Sequence, residues 1–151
     1  MIAARLQSGP FDAAAEQAAL LAGRTDLGAA VQFTGLVRAD DGLAALTLEH
    51  YPGMTLAQMQ AIAAEAAARW PGVLGNIIHR HGRLLPGEPI VLVTTASPHR
   101  SDAFAAASFL MDWLKTKAPF WKKEEWADGT SRWVEAKASD DSAADRWANG
   151  L

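Results

Sequence analysis

The 151-residue chain contains no cysteine. Disulfides, thiolate metal sites and cysteine nucleophiles are thereby excluded, and a reducing compartment, by default the cytoplasm, is the expected setting. No apolar run reaches the roughly 18 residues that a membrane-spanning helix needs, so a soluble protein with no membrane partner is expected. The opening "MIAARLQSGPFDAAAEQ" also lacks the sustained apolar stretch of a signal peptide. Nor is there an excess of positive charge. A net charge of −3 gives no basis for polyanion binding over the whole surface, so any anion recognition must come from local clusters. Lysine is scarce, with five in the chain, yet Lys115, Lys117, Lys122 and Lys123 all fall within "LKTKAPFWKKEEW" (114–126), around Pro119, Phe120 and Trp121.

Length predicts one domain over residues 1–151, burying roughly two thirds of the surface its unfolded chain exposes, with a polar tail from about Ser139. Asp12 to Gly23 is rich in alanine and leucine between an acidic cap and a glycine stop, which predicts a helix. "AAVQFTGLVR" and "ALTLEHY" alternate in polarity and predict strands; the turn residues "ADDG" between them predict a hairpin, with Arg38 at a strand end. Met59, Ile62, Ala66 and Trp70 recur at helical spacing and predict a second helix over Thr55–Trp70, closed by Pro71 and Gly72. "GNIIHRHG" and "PIVLVTTA" read as a second strand pair. Ser97 as N-cap with Pro98 at the first helical position predicts a third helix that runs until Ala118 meets Pro119. "FWKKEEW" and "SRWVEA" around "ADGT" predict a final hairpin turning at Asp128–Gly129. The sum is an α+β protein with a largely antiparallel sheet.

Several side chains in this frame have a chemical reading beside an ordinary one. His99 and Arg100 fall in the first turn of the third helix, where free N–H groups and the macrodipole favour an anion; their ordinary reading is a solvated helix start. Lys115 and Lys117 end that helix, where a cation is mildly stabilising in any case. Lys122 and Lys123 follow on a strand and point to opposite faces, so only one can share a pocket with Lys115. Two ammonium groups held close together depress each other's pKa, and such a lysine can act as base or nucleophile. Glu124 shares the Lys122 face. Arg38 is either an edge charge or a planar fork for phosphate or carboxylate. Five of the six tryptophans lie after residue 112; most read as core, and some as interface. Arg100 and Lys115 are about 22 Å apart along one helix at ~1.5 Å per residue, so they cannot hold one small ligand within one chain. A twofold dimer with composite sites would bring them together.

"FTGLVR" (33–38), "LTLEHYPGM" (46–54), "SPHRSDAF" (97–104), "MDWLKTKAPFWKKE" (111–124) and "RWVEA" (132–136) resemble the large, catalytic subunit of molybdopterin synthase. The five blocks fall in the same order and span most of the chain from Ala29 to Ala136. The resemblance implies an α/β hammerhead-type fold with an additional antiparallel β-sheet. It further implies a homodimer of this chain with a small ubiquitin-like sulfur carrier at each end, a heterotetramer overall. The reaction implied is sulfur transfer from the carrier's C-terminal Gly-Gly thiocarboxylate to cyclic pyranopterin monophosphate, forming the dithiolene of molybdopterin. No cofactor or metal is implied, because the carrier supplies the sulfur.

Carried over by position, Lys115 and Lys122 match the family's two essential lysines. Leu36, Val37, Arg38, His99 and Arg100 match its substrate pocket, with His99 and Arg100 supplied by the partner subunit. Lys123 and Glu124 continue the second lysine motif, and Phe33 and Met111 match positions beside the pocket. The turn "RADDGLAAL" after Arg38 is shorter than the polar loop of that family. Two rival readings remain at this level: a nucleic-acid platform built from the lysines and tryptophans, and a non-catalytic scaffold whose tryptophan-rich end binds a ubiquitin-like partner.

Overall fold

The computed structural model describes residues 1–134 and residue 147. Its elements are β1 (Ile2–Gln7), α1 (Ala13–Leu21), β2 (Ala29–Leu36), β3 (Leu43–His50), α2 (Met54–Arg69), β4 (Leu74–Arg80), β5 (Gly82–Leu84), β6 (Pro89–Ser97), α3 (Arg100–Lys117), β7 (Phe120–Trp126) and β8 (Ser131–Val134). They form two four-stranded sheets, β1-β4-β6-β2 and β5-β3-β7-β8. The first is antiparallel except where β1 runs parallel to β4, and the second is antiparallel throughout. The α+β architecture with an additional antiparallel sheet is therefore present. No helix among the described residues is long and apolar enough to cross a membrane.

Three expectations about local structure need correction. β2 and β3 do not form a hairpin. β2 pairs with β6, while β3 pairs with β5 and β7 in the other sheet. The "ADDG" segment instead carries the chain between sheets as a short 3-10 turn, with Asp41 at φ 51. A bulge at Gly35/Leu36 ends the β2 ladder, after which the Val37 N–H donates to the Glu88 carbonyl and the Gly87 N–H donates to that of Val37. Turn chemistry is a local signal, and it was outweighed by pairing with a strand more than fifty residues away. The second correction concerns α3, which begins at Arg100 with His99 as N-cap. The Ser97 hydroxyl caps no helix; it accepts from the His99 N–H and donates to the His99 carbonyl. Third, β1 was not anticipated at all.

Other signals held. The Asp12 side chain accepts from the Ala15 N–H at 3.0 Å and starts α1. Gly129, at φ 88, turns the last hairpin. Helices α2 and α3 cover one face of the first sheet, where Met59, Ile62, Phe109 and Leu110 bury against Ile77 and Val93. Helix α1 lies over the opposite face, held by Gln32 donating to the Ala13 carbonyl and by Asn76 donating to Glu16. A second cluster of Val37, Leu48 and Leu84 lies beneath the second sheet, and Phe120 packs against both clusters. Phe120 is thus the joint between the sheets.

The turn after α3 is fastened from below. Thr55, fully buried, donates its hydroxyl to the Pro119 carbonyl at 2.8 Å and accepts from the Tyr51 N–H at 3.0 Å. This fixes where β7 starts relative to the last turn of α3. The last residues of "RWVEA" and the tail from Ser139 lie outside the described residues, apart from Trp147, whose indole N–H donates to Asp112 at 2.6 Å beside Trp70 and Phe109.

Candidate functional site

Lys115 sits on the last turn of α3, and Lys122 is the third residue of β7 after the break at Pro119. The two elements converge on an open cleft of about 350 Å³ that both lysines line. That volume is near the lower end for small-molecule sites, so it suits a small ligand or an extended chain end rather than a folded body. Strand alternation accounts for the rest of the β7 wall. Phe120, Lys122 and Glu124 share one face, and Glu124 lines the cleft with Lys122, opposite Val134 of β8. Leu36, Val37 and Arg38, where the chain leaves β2, supply the facing wall. Val37 is buried and anchored by its two backbone hydrogen bonds, whereas Leu36 and Arg38 are exposed.

The charges in the cleft are not all cationic. The Arg38 Nε donates to Asp40 at 2.6 Å, so part of its fork is engaged by the chain's own carboxylate. Glu124 stands 3.8 Å from Arg132. Among the described residues no group of three histidine or acidic side chains could hold a metal ion.

Other residues named from the sequence are not brought here. Lys123 lies on the opposite face of β7, paired in register with Thr47 and Trp133, and is no wall of the cleft. Lys117 places its ammonium 5.2 Å above the Trp113 ring, a cation–π contact at the helix end. His99 and Arg100 are exposed at the far end of α3. Phe33 is exposed on β2, and Met111 packs partly buried against the main core. Phe33 and Leu36 of β2 and Phe104 of α3 leave apolar surface open on two adjoining elements. A second depression of about 280 Å³, lined by Phe120, Trp121 and Trp133, meets the cleft at Lys122 and Val134. Tyr51 packs edge-on to Trp121, and Trp121 edge-on to Trp133. So two tryptophans are half exposed here, while Trp70 and Trp113 pack into the core as the ordinary reading anticipated.

Two residues escaped the sequence reading. His79 of β4 stacks on Phe120, ring centroids 3.9 Å apart at 19°. Burial, before any other cause, pushes its pKa down to about 4, and the charges of Lys115 and Lys122 push the same way. The alternation in "IIHRHG" puts His79 on the same face as buried Ile77, which is the signal that could have found it. Arg80, buried, donates to the carbonyls of Ser8 and Pro89 and so ties the end of β1 to the start of β6. That clamp sits behind the Glu88 carbonyl that holds Val37.

A family model described as MoaE protein matches residues 6–117, ending with α3. Relatives extend the likeness across β7. The molybdopterin synthase catalytic subunit of Mesorhizobium japonicum is 59% identical over 95% of this chain and 91% of its own length. That of Pseudomonas aeruginosa is 53% identical over 97% of this chain and 99% of its own. Among solved structures, the molybdopterin biosynthesis MoaE protein from Burkholderia ambifaria superposes with a TM-score of 0.84 at 53% identity, covering 98% of this chain and 99% of that one. With the match spanning most of the chain in sequence and fold alike, the chain belongs to the MoaE protein family, the catalytic subunits of molybdopterin synthase, a transferase of molybdenum cofactor biosynthesis.

Proposed function

We propose that the cleft between α3 and β7 is where a small ubiquitin-like carrier delivers sulfur from its C-terminal Gly-Gly thiocarboxylate to cyclic pyranopterin monophosphate, in the cytoplasm. The observation that carries this reading is the convergence of Lys115 and Lys122 on one cleft with Arg38 on the facing wall. An anionic substrate and a carboxylate-like leaving group both call for fixed cations in a partly enclosed site. Once the thiocarboxylate sulfur has bonded to the pterin, water adds to the carrier's acyl carbon, the acyl C–S bond breaks and the carrier leaves as a carboxylate; Lys115 stabilises the charge that develops on the acyl group in that exchange. Lys122 serves proton transfer to and from the pterin intermediate, and Arg38 and Lys122 hold its anionic groups. Glu124 orients Lys122 from two residues along the same face. The aromatic depression that opens into the cleft at Lys122 and Val134 offers the carrier's tail an apolar approach.

His99 and Arg100 enter the same site from a second copy of the chain. Their separation from Lys115, about 22 Å along α3, leaves no other way for both helix ends to serve one ligand. The exposed Phe33, Leu36 and Phe104 supply an apolar surface for that pairing. A polyanion platform has no comparable support, since the four lysines divide between the cleft, the Trp113 ring and the outer face of β7. The test is reconstitution of the purified chain with thiocarboxylated carrier and cyclic pyranopterin monophosphate, reading dithiolene formation. Turnover is expected; binding of the carrier without turnover would leave the scaffold reading in its place.

A further inference from the structure

Where β2 reaches the cleft its pairing slips. Gly35 pairs with Val91 of β6 but Leu36 pairs with Pro89, so Ile90 is the extra residue of a bulge. Leu36, Val37, Arg38 and Ile90 all line the cleft. Behind them runs the segment from Leu85 to Pro89. Its Glu88 carbonyl accepts from the Val37 N–H at 2.9 Å, and its Gly87 N–H donates to the Val37 carbonyl at 2.7 Å. The Arg38 side chain is exposed, so its aim depends on that backbone and on the pair with Asp40.

Arg80, the last residue of β4 and only 5% exposed, holds the segment. Its Nη1 donates to the Pro89 carbonyl at 2.9 Å, and its Nε and Nη2 donate to the Ser8 carbonyl at 3.2 and 3.1 Å. The Glu88 carboxylate stands 3.5 Å from Nη1, a weak contact at that length, and mainly closes the turn by accepting from the Leu85 N–H at 2.6 Å. A buried guanidinium is a poor route to stability alone, since a well-packed apolar side chain often serves as well. Its planar fork does what an apolar residue cannot, fixing carbonyls from two separate segments relative to each other.

We infer that Arg80 is a positioning residue of the cleft: by holding the segment from Leu85 to Pro89 it fixes the backbone at Val37 and so presents Arg38 to an anionic ligand. This rests on the proposed role of Arg38 in holding the pterin's anionic groups, but neither of its two readouts needs sulfur transfer.

Amide hydrogen exchange of the full chain, followed residue by residue by NMR, reads the hold on Val37 directly. Arg80→Lys keeps the charge but reaches one carbonyl rather than two, and Arg80→Met fills the space without a donor. Should neither fold, Glu88→Ala loosens the same segment from its partly exposed side and carries the same expectations. In a folded variant the Val37 and Gly87 amides are expected to exchange about tenfold faster or more, with Val93 in the middle of β6 unmoved. Titration with cyclic pyranopterin monophosphate, in the absence of carrier, gives the second readout. Arg38→Ala is expected to raise Kd about tenfold or more, Arg80→Lys about fivefold, and Arg80→Met further than Arg80→Lys. In the Arg38→Ala background the Arg80 substitutions should change Kd by less than about twofold, because their effect passes through Arg38. Unmoved Val37 and Gly87 amides would overturn the inference, as would an Arg80 effect on Kd that persists in full once Arg38 is gone. Equal acceleration at Val93 would also overturn it, since that marks a general loss of stability. If exchange and Kd respond as expected but the parent makes no dithiolene with thiocarboxylated carrier, the proposed reaction fails and the role of Arg80 stands.

Discussion

The two faces of β7 carry nearly the same residue types in alternation, an aromatic, a lysine and a glutamate on each, and the fold gives them different surroundings. Phe120, Lys122 and Glu124 look inward, toward Leu48 and Leu46 of β3, the Phe120 joint and the cleft. Trp121, Lys123 and Glu125 look outward, where Trp121 meets Tyr51 and Trp133, and Glu125 meets Arg83 and Thr47. Composition therefore says little about which lysine matters. What separates them is a one-residue phase, set by the turn at Pro119 that Thr55 holds in place.

The most severe way to break this contrast is to remove the inward aromatic. Phe120→Ala takes away the residue packed against both clusters and the platform under His79, and is expected to cost about 3 kcal/mol in urea unfolding. Trp121→Ala, on a side chain 51% exposed, is expected to cost about 1 kcal/mol or less. Equal losses would mean that the joint between the sheets is not where the packing places it.

Next in size is the functional contrast between the adjacent lysines. Lys122→Ala is expected to lower sulfur transfer by about 10²-fold or more, as is Lys115→Ala, while Lys123→Ala stays within about twofold of the parent. The measurement is the initial rate with thiocarboxylated carrier at saturating substrate. A Lys123→Ala defect as deep as that of Lys122→Ala would remove the distinction between the faces.

The inward face also carries the pH dependence. His79 has a folded pKa of about 4 against an ordinary value of 6.5, so between those values the unfolded chain binds the extra proton. Stability contributed by the neutral ring is therefore present above about pH 6.5 and lost as pH falls toward 4. The loss between pH 7 and pH 5 is about 2 kcal/mol. Asp26, Glu88 and Asp128, whose pKa values are lowered by hydrogen bonds, also lose stability in acid. The informative quantity is thus the difference between the parent and His79→Phe in urea midpoints at pH 7 and pH 5. A difference that does not change with pH would mean that His79 is not held neutral.

Much of this arrangement was legible in the chain itself. Asp12, Pro119 and Gly129 act within a few residues of where they stand, and the alternation that separates Lys122 from Lys123 is a property of any strand. The partners of β2 and β3 were not legible. Both runs have strand character and a turn-like link, and nothing local reports that β6 competes for β2 from more than fifty residues away. β1 went unread because its alternation is weak, with alanines at two of its six positions. The inward face of His79 could be read from the alternation it shares with Ile77, but its surroundings could not, because its neighbours, Phe120 and the two lysines, come from other elements.

The smallest expected effect sharpens the comparison on the cleft side, where the chain's own carboxylate already engages a cation. Asp40 holds the Arg38 Nε at 2.6 Å, in a pair that is 75% and 56% exposed, so the interaction is weak and screened by salt. An anionic substrate must still compete with it for the guanidinium fork. Asp40→Ala, or Asp40→Asn if the turn needs a polar residue there, is expected to lower KM for cyclic pyranopterin monophosphate by roughly two- to fivefold with kcat unchanged. The gain should shrink as ionic strength rises, because screening weakens the parent's internal pair along with its attraction for the substrate. A rise in KM would reverse the argument: Asp40 would then orient the fork toward the substrate rather than occupy it. The outward side offers a control, since removing Glu125 from Arg83 on the other face of the sheet should leave KM where it was.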